Sequence, residues 1–117
     1  MNPIELKART KTFALRIIKL TRAIPKNDDA ARVIAKQIVR SGTSVAANYR
    51  ASCRARSRAE FISKIGTVEE ESDETALWLE LLIESEIIPA KKLSALLAEA
   101  NALTAIMASS RKTASGK

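Results

Sequence analysis

Five cations recur along one stretch of the chain at helical intervals: Arg32, Lys36, Arg40, Arg50 and Arg54. At 100° per residue they fall within about 80° of one another on a helical wheel. Arg56 and Arg58 extend the row into the next turn. The chemistry such a row offers is phosphate contact, because each neutralised phosphate releases a counterion and the attraction needs no base readout. Arginine dominates its second half, and the planar guanidinium can meet two phosphate oxygens at once. A charged outer face is also what any solvated helix presents, and pairing with the acids of a neighbouring subunit is a third use for it.

The opposite face of the same segment carries small polar residues, Ser41, Ser44 and Asn48, with Gly42 beside them. Small side chains let a neighbouring helix approach closely, and a buried asparagine that needs partners can fix the register between helices. A catalytic reading would make Ser41 or Ser44 a nucleophile, but the chain has no histidine to act as its base. The single cysteine, Cys53, makes neither a thiolate pair nor an internal disulfide. No catalytic residue is assigned, and packing is the reading of this cluster.

A run of acids, Glu69, Glu70, Glu71, Asp73, Glu74, Glu80, Glu84 and Glu86, follows in the next segment. Carboxylate metal centres in helix bundles use inward Glu-x-x-His pairs, and without histidine no metal site or cofactor is expected here. Pairing with the basic segments, within or between subunits, accounts for the run more simply, although exposed pairs each contribute little. The charge is unevenly placed as well. Residues 1–64 hold fifteen of the twenty Lys and Arg and four of the thirteen acids, a balance of +11; the rest holds five against nine, or −4. That asymmetry suits a nucleic-acid surface or head-to-tail contact between subunits. The scarcity of aromatics argues against a single-strand reader built on base stacking.

Four helices must position these groups. Leu6, Phe13, Ile17, Leu20 and Ile24 recur at helical spacing, so the first helix runs from about Ile4 to Ile24 and stops at Pro25. Asn27 or Asp28 caps a second that continues to roughly Arg54. Ser57 and Glu60 form a capping box for the third, whose inward row is Phe61, Ile65, Val68, Ser72, Thr75, Leu79 and Leu82. Pro89 precedes the fourth, with Leu93, Leu96, Leu97, Ala100, Leu103 and Met107. Short joints between such helices predict an all-α, antiparallel up-down-up-down four-helix bundle over residues 1–108, with 109–117 as a flexible polar tail.

Two helices carry more apolar surface than one core needs. Leu77, Trp78 and Leu81 project away from Phe61 and Leu79, and Leu15 and Ile18 do something similar on the first helix. A monomeric bundle would leave these faces wet, so the chain is expected to form homo-oligomers through them. No apolar run approaches the roughly 20 residues of a membrane span, and the N-terminus lacks the apolar core of a signal peptide. With one cysteine, a reducing, cytoplasmic setting without membrane attachment is expected.

The segment Gln37-Ile-Val-Arg-Ser-Gly-Thr-Ser-Val-Ala-Ala-Asn48, then Arg56-Ser-Arg-Ala-Glu-Phe61 and the acidic leucine helix through Leu82, resembles the small bacterial four-helix bundle proteins encoded in intervening sequences of large ribosomal RNA genes. That family is similar in turn to the accessory variability proteins of diversity-generating retroelements. The resemblance covers nearly the whole chain. It implies a homopentameric, barrel-like ring without enzyme activity, whose basic surface, in the retroelement branch, contacts nucleic acid and a reverse transcriptase. Ser41, Ser44 and Asn48 match the family's inward small-polar signature, and Ser57, Glu60 and Phe61 its third-helix start. Tyr49-Arg-Ala-Ser52 departs from the apolar, variable, Glu-Gly pattern common there, and the departure adds Arg50 to the cationic row.

Overall fold

Four helices make up nearly all of the computed structural model, which describes residues 1–116: α1 (Pro3–Thr21), α2 (Asp29–Ser52), α3 (Arg58–Glu84) and α4 (Ala90–Ser115). Their starts are set by local chemistry. Asn2 accepts the Glu5 amide at 2.9 Å ahead of Pro3, whose missing N–H costs nothing in a first turn. Asp28 accepts the Ala31 amide at 3.0 Å to open α2, and Ser57 accepts the Glu60 amide at 3.0 Å to open α3. Only half of the expected capping box forms there. The Glu60 carboxylate turns to Arg56, 3.6 Å away.

The ends differ from expectation by a turn or less at α1 and α2. α1 closes at Thr21, yet Ile24 beyond it stays buried and plugs the end of the core. α2 closes at Ser52, which leaves Arg54 in the connecting turn. The larger difference is at the C-terminus, where a polar tail was expected from Ser109 and α4 instead continues through Ser115 to a left-handed Gly116 cap. The reason is cross-helix anchoring: Arg111 pairs with Glu69 at 2.7 Å, and Arg58 donates to the Ala114 carbonyl. Lys117, the last residue of that expected tail, lies outside the described residues.

The helices form an antiparallel up-down-up-down bundle of 46 × 21 × 20 Å, with α1 on α2, α2 on α3 and α3 on α4; the α1–α4 seam is the thinnest. Its core is aliphatic apart from Phe13 and the buried Tyr49. Ile17, Ile38, Val45, Ile65, Leu79, Leu103 and Met107 interlock with no exposed surface. Two hydroxyl pairs thread through it. Thr75 of α3 donates to Ser41 of α2 at 2.8 Å, and Thr104 of α4 donates to Ser72 of α3 at 2.9 Å. Thr75, Ser72 and Thr104 also bond to carbonyls one turn back, so burial leaves none of them unpaired.

One expectation about apolar runs needs correction. By length and composition alone, α4 is apolar enough to cross a membrane, with a mean hydropathy of 1.2 over 18 residues. Alanines carry much of that value, while Leu93, Leu96, Leu103 and Met107 face the bundle core.

Candidate nucleic-acid interface

The seven cations predicted to touch phosphate do not share one environment. Arg40 lies on the α3 side of α2 and binds two of its acids, Glu71 at 3.1 Å and Glu74. Arg32 pairs with Asp29 and donates to the Lys26 carbonyl at 3.1 Å. Arg56 faces Glu60, and Arg58 ties the start of α3 to the end of α4. Lys36, Arg50 and Arg54 are exposed and, among the described residues, have no carboxylate partner. The wheel puts the helical members on one face, but it could not show that α3 brings its acids up to one edge of that face.

At the other edge Arg50 and Arg54 meet α1. They line a groove of about 560 Å³ together with Lys7 and Lys11 of α1 and Cys53 at the end of α2. The rest of its lining, termed the floor, is small: Ala8 and Ala14 from α1, Thr43, Ala46 and Ala47 from α2. No acid lines it, and among the described residues neither lysine is in a salt bridge. Four cations therefore converge on one concavity, where low-dielectric walls strengthen their combined field. Sequence reasoning missed Lys7 and Lys11. Their four-residue spacing on the exposed side of α1 was visible, but which edge of α1 abuts α2 was not.

Ion pairing follows the same division elsewhere. Arg9 of α1 makes a two-pronged contact with Glu99 of α4, both bonds 2.7 Å, and the hydrogen bonds it donates to Glu99 raise the Arg9 pKa above its ordinary value. Arg111 of α4 holds Glu69 of α3, and Arg40 of α2 holds Glu71 and Glu74 of α3. The α1–α4, α3–α4 and α2–α3 seams are thus each spanned by opposite charges. Among the described residues no salt bridge spans the α1–α2 seam, and its groove is lined by cations without an acid.

The small-polar cluster divides as well. Ser41 is buried and accepts from Thr75 of α3. Ser44 and Asn48 are half-buried and bond to each other within α2, Asn48 Nδ2 donating to Ser44 Oγ at 2.8 Å and to its carbonyl at 3.0 Å. They make no bond between helices. Of the residues expected at an oligomer interface, Leu15, Leu77 and Leu81 are 58%, 46% and 38% exposed, and Ile18 is half-buried. Trp78 packs against the core instead, because one step from Leu77 turns it by 100° toward the side of α3 that carries Glu71 and Glu74. Its indole N–H is buried without a partner. Glu70, Asp73 and Glu84 are exposed on the same side of α3 as Leu77 and Leu81. Among the described residues no cluster of Cys, Asp or Glu could hold a metal ion.

A solved structure of this fold is similar to the chain in sequence. The fold superposes with a TM-score of 0.87 on the crystal structure of a protein of unknown function from the S23 ribosomal protein family of Bacteroides thetaiotaomicron VPI-5482. The two are 36% identical over 96% of this chain and 99% of that one. No curated protein is significantly similar in sequence. The model of the 23S rRNA-intervening sequence protein family matches residues 4–109, which takes in all of α1, α2 and α3 but for Pro3 and most of α4; the chain belongs to that family.

Proposed function

We propose that the protein is a non-catalytic, self-associating accessory protein that binds nucleic acid through the basic α1–α2 face. One observation carries the reading: Lys7, Lys11, Arg50 and Arg54 share a groove that no acid enters, whereas the other basic seams are neutralised within the protomer. Contact is to phosphate and independent of sequence, since no exposed aromatic lies in the groove to stack on a base. Within the stripe, Arg50 and Arg54 are the principal contacts, Lys36 is an auxiliary one, and Arg32, Arg40, Arg56 and Arg58 must first leave their own partners. The setting proposed is cytoplasmic, and the assembly is a homopentameric ring.

Anisotropy of labelled RNA and DNA, titrated with protein at several salt concentrations, tests this reading. The logarithm of affinity should fall linearly with log salt, and Arg50→Glu with Arg54→Glu should abolish binding while helicity is retained. Absence of binding by the wild-type protein at low salt would sink it.

A second reading is favoured by the α3 face, where Leu77 and Leu81 stand among Glu70, Asp73 and Glu84. On that reading the protein is purely a structural interaction module, and the basic α1–α2 face receives the acidic face of a neighbouring subunit. High salt would then dissociate the assembly, because exposed charge pairs are screened.

A further inference from the structure

We infer that the α1–α2 groove grips a single phosphodiester backbone, phosphates inward and bases outward, with α1 as the second wall of the site. This rests on the nucleic-acid reading above and specifies its pose. Lys7 and Lys11 stand four residues apart on one wall, Arg50 and Arg54 four residues apart on the other. Four residues advance a helix by about 6 Å, the order of the step between neighbouring phosphates of one strand. The α1 wall therefore matches two successive phosphates, and Arg50 near the end of α2, with Arg54 in the turn beyond it, neutralises the same backbone from the other side.

The rest of the lining sets the orientation. Between the cations the lining is small and uncharged, Thr43 half-buried among alanines. Nothing on the floor stacks on a base or offers a carboxylate or amide to read a base edge. Tyr49 is buried in the core, and Trp78 belongs to α3 on the far side of α2. Bases gain no contact by pointing inward and keep their hydration by pointing out. The groove thus distinguishes polymers by backbone charge alone, and it accepts any base composition.

Cys53 is exposed and lines this groove, and it is the only cysteine in the chain, so the wild-type protein carries its own reporter. Alkylation of Cys53 by uncharged iodoacetamide is followed with and without saturating oligo(dT) or oligo(dA), while anisotropy reports binding. Both oligonucleotides should slow the reaction several-fold and to the same extent. Lys7→Gln with Lys11→Gln should lower the slope of log affinity against log salt by about two, one for each lost phosphate contact, with helicity retained. Oligonucleotide binding that leaves Cys53 reactivity unchanged, or a slope indifferent to the two lysines, overturns the groove while the broader nucleic-acid reading stands. Protection by one base composition and not the other overturns the bases-outward pose. No binding at all removes both.

Discussion

Gly42 of α2 lies so close beneath Ile17 of α1 that a Cβ added to it would stand 2.8 Å from both Ile17 Cγ1 and Cγ2, and 3.0 Å from Ile17 Cβ. The neighbour is a β-branched side chain met near its root, so it cannot swing aside. This contact sets how near α1 approaches α2, and hence the width of the cationic groove one to three turns further along α2.

Gly42→Ala is accordingly expected to destabilise. Alanine gains about 1 kcal/mol of helix propensity over glycine, but overpacking a tight core costs about 1–3 kcal/mol. Urea denaturation should show a net loss in the wild-type background. In an Ile17→Ala background the same change should turn neutral or stabilising, because the obstructing atoms are gone. A stabilised single variant would show that the helices separate without cost.

Arg40 and the pair Arg50 and Arg54 should behave as opposites although their sequence spacing puts them on one side. Arg40 holds Glu71 and Glu74 of α3, so Arg40→Ala should lower stability by about 1 kcal/mol or less, as a half-exposed pair does. Nucleic-acid affinity should fall little, since that guanidinium is already engaged. Arg50→Ala with Arg54→Ala should leave stability within about 0.5 kcal/mol and weaken binding strongly. Thermal unfolding and anisotropy on the same two preparations decide the matter. Equal loss of affinity in both would mean that ligand displaces the acids of α3.

Much of this was legible in the sequence. The four helices, the inward row from Ile65 to Leu82, the caps at Asp28 and Ser57 and the basic face of α2 all follow from periodicity and local hydrogen bonding, which act over a few residues. What was not legible depends on the relative rotation of helices. That Arg40 turns to α3 while Arg50 turns to α1, that Lys7 and Lys11 join them, and that Trp78 packs against the core are consequences of which edges meet. The helical course of residues 109–115 failed for a related reason. Ser109, Ser110 and Thr113 read as a polar tail by composition, but the contacts of Arg111 and Ala114 with α3 hold that segment in place.

Tyr49, the only tyrosine, offers a test of the core beside the groove. Burial, helped by the neighbouring Cys53, pushes its phenol from 10.0 up to about 12. A pKa raised by folding means that the neutral form favours the fold. The contribution is fully present below pH 10 and is lost as pH rises through about 12. The ultraviolet tyrosinate band should therefore titrate near 12 in native protein and near 10 in urea. Cys53→Ser should move the native titration downward, and Tyr49→Phe should lose less stability than wild type over the same interval. A native titration near the ordinary value would mean that solvent reaches the ring.

The α3 face supplies the last prediction. Leu77 and Leu81 stay exposed in the protomer with Glu70, Asp73 and Glu84 around them, while α1 exposes Leu15 and Ile4 with Lys7 and Lys11. The two faces are apolar alike and opposite in charge, so contact between unlike faces of successive copies is favoured over contact between like faces. An interface of two unlike faces closes as a ring or grows as a filament. Wild-type protein should run at a multiple of the 12.7-kDa chain in light scattering, five-fold for the proposed ring. Leu77→Glu with Leu81→Glu should reduce it to a single chain without loss of helicity. Salt separates the two contributions, because apolar burial is not screened and charge pairing is. An assembly that persists in high salt but fails in the leucine variant is held by the leucines. One that dissolves in high salt is held by the charges, and the cations of α1 would then be committed to a neighbour rather than to phosphate.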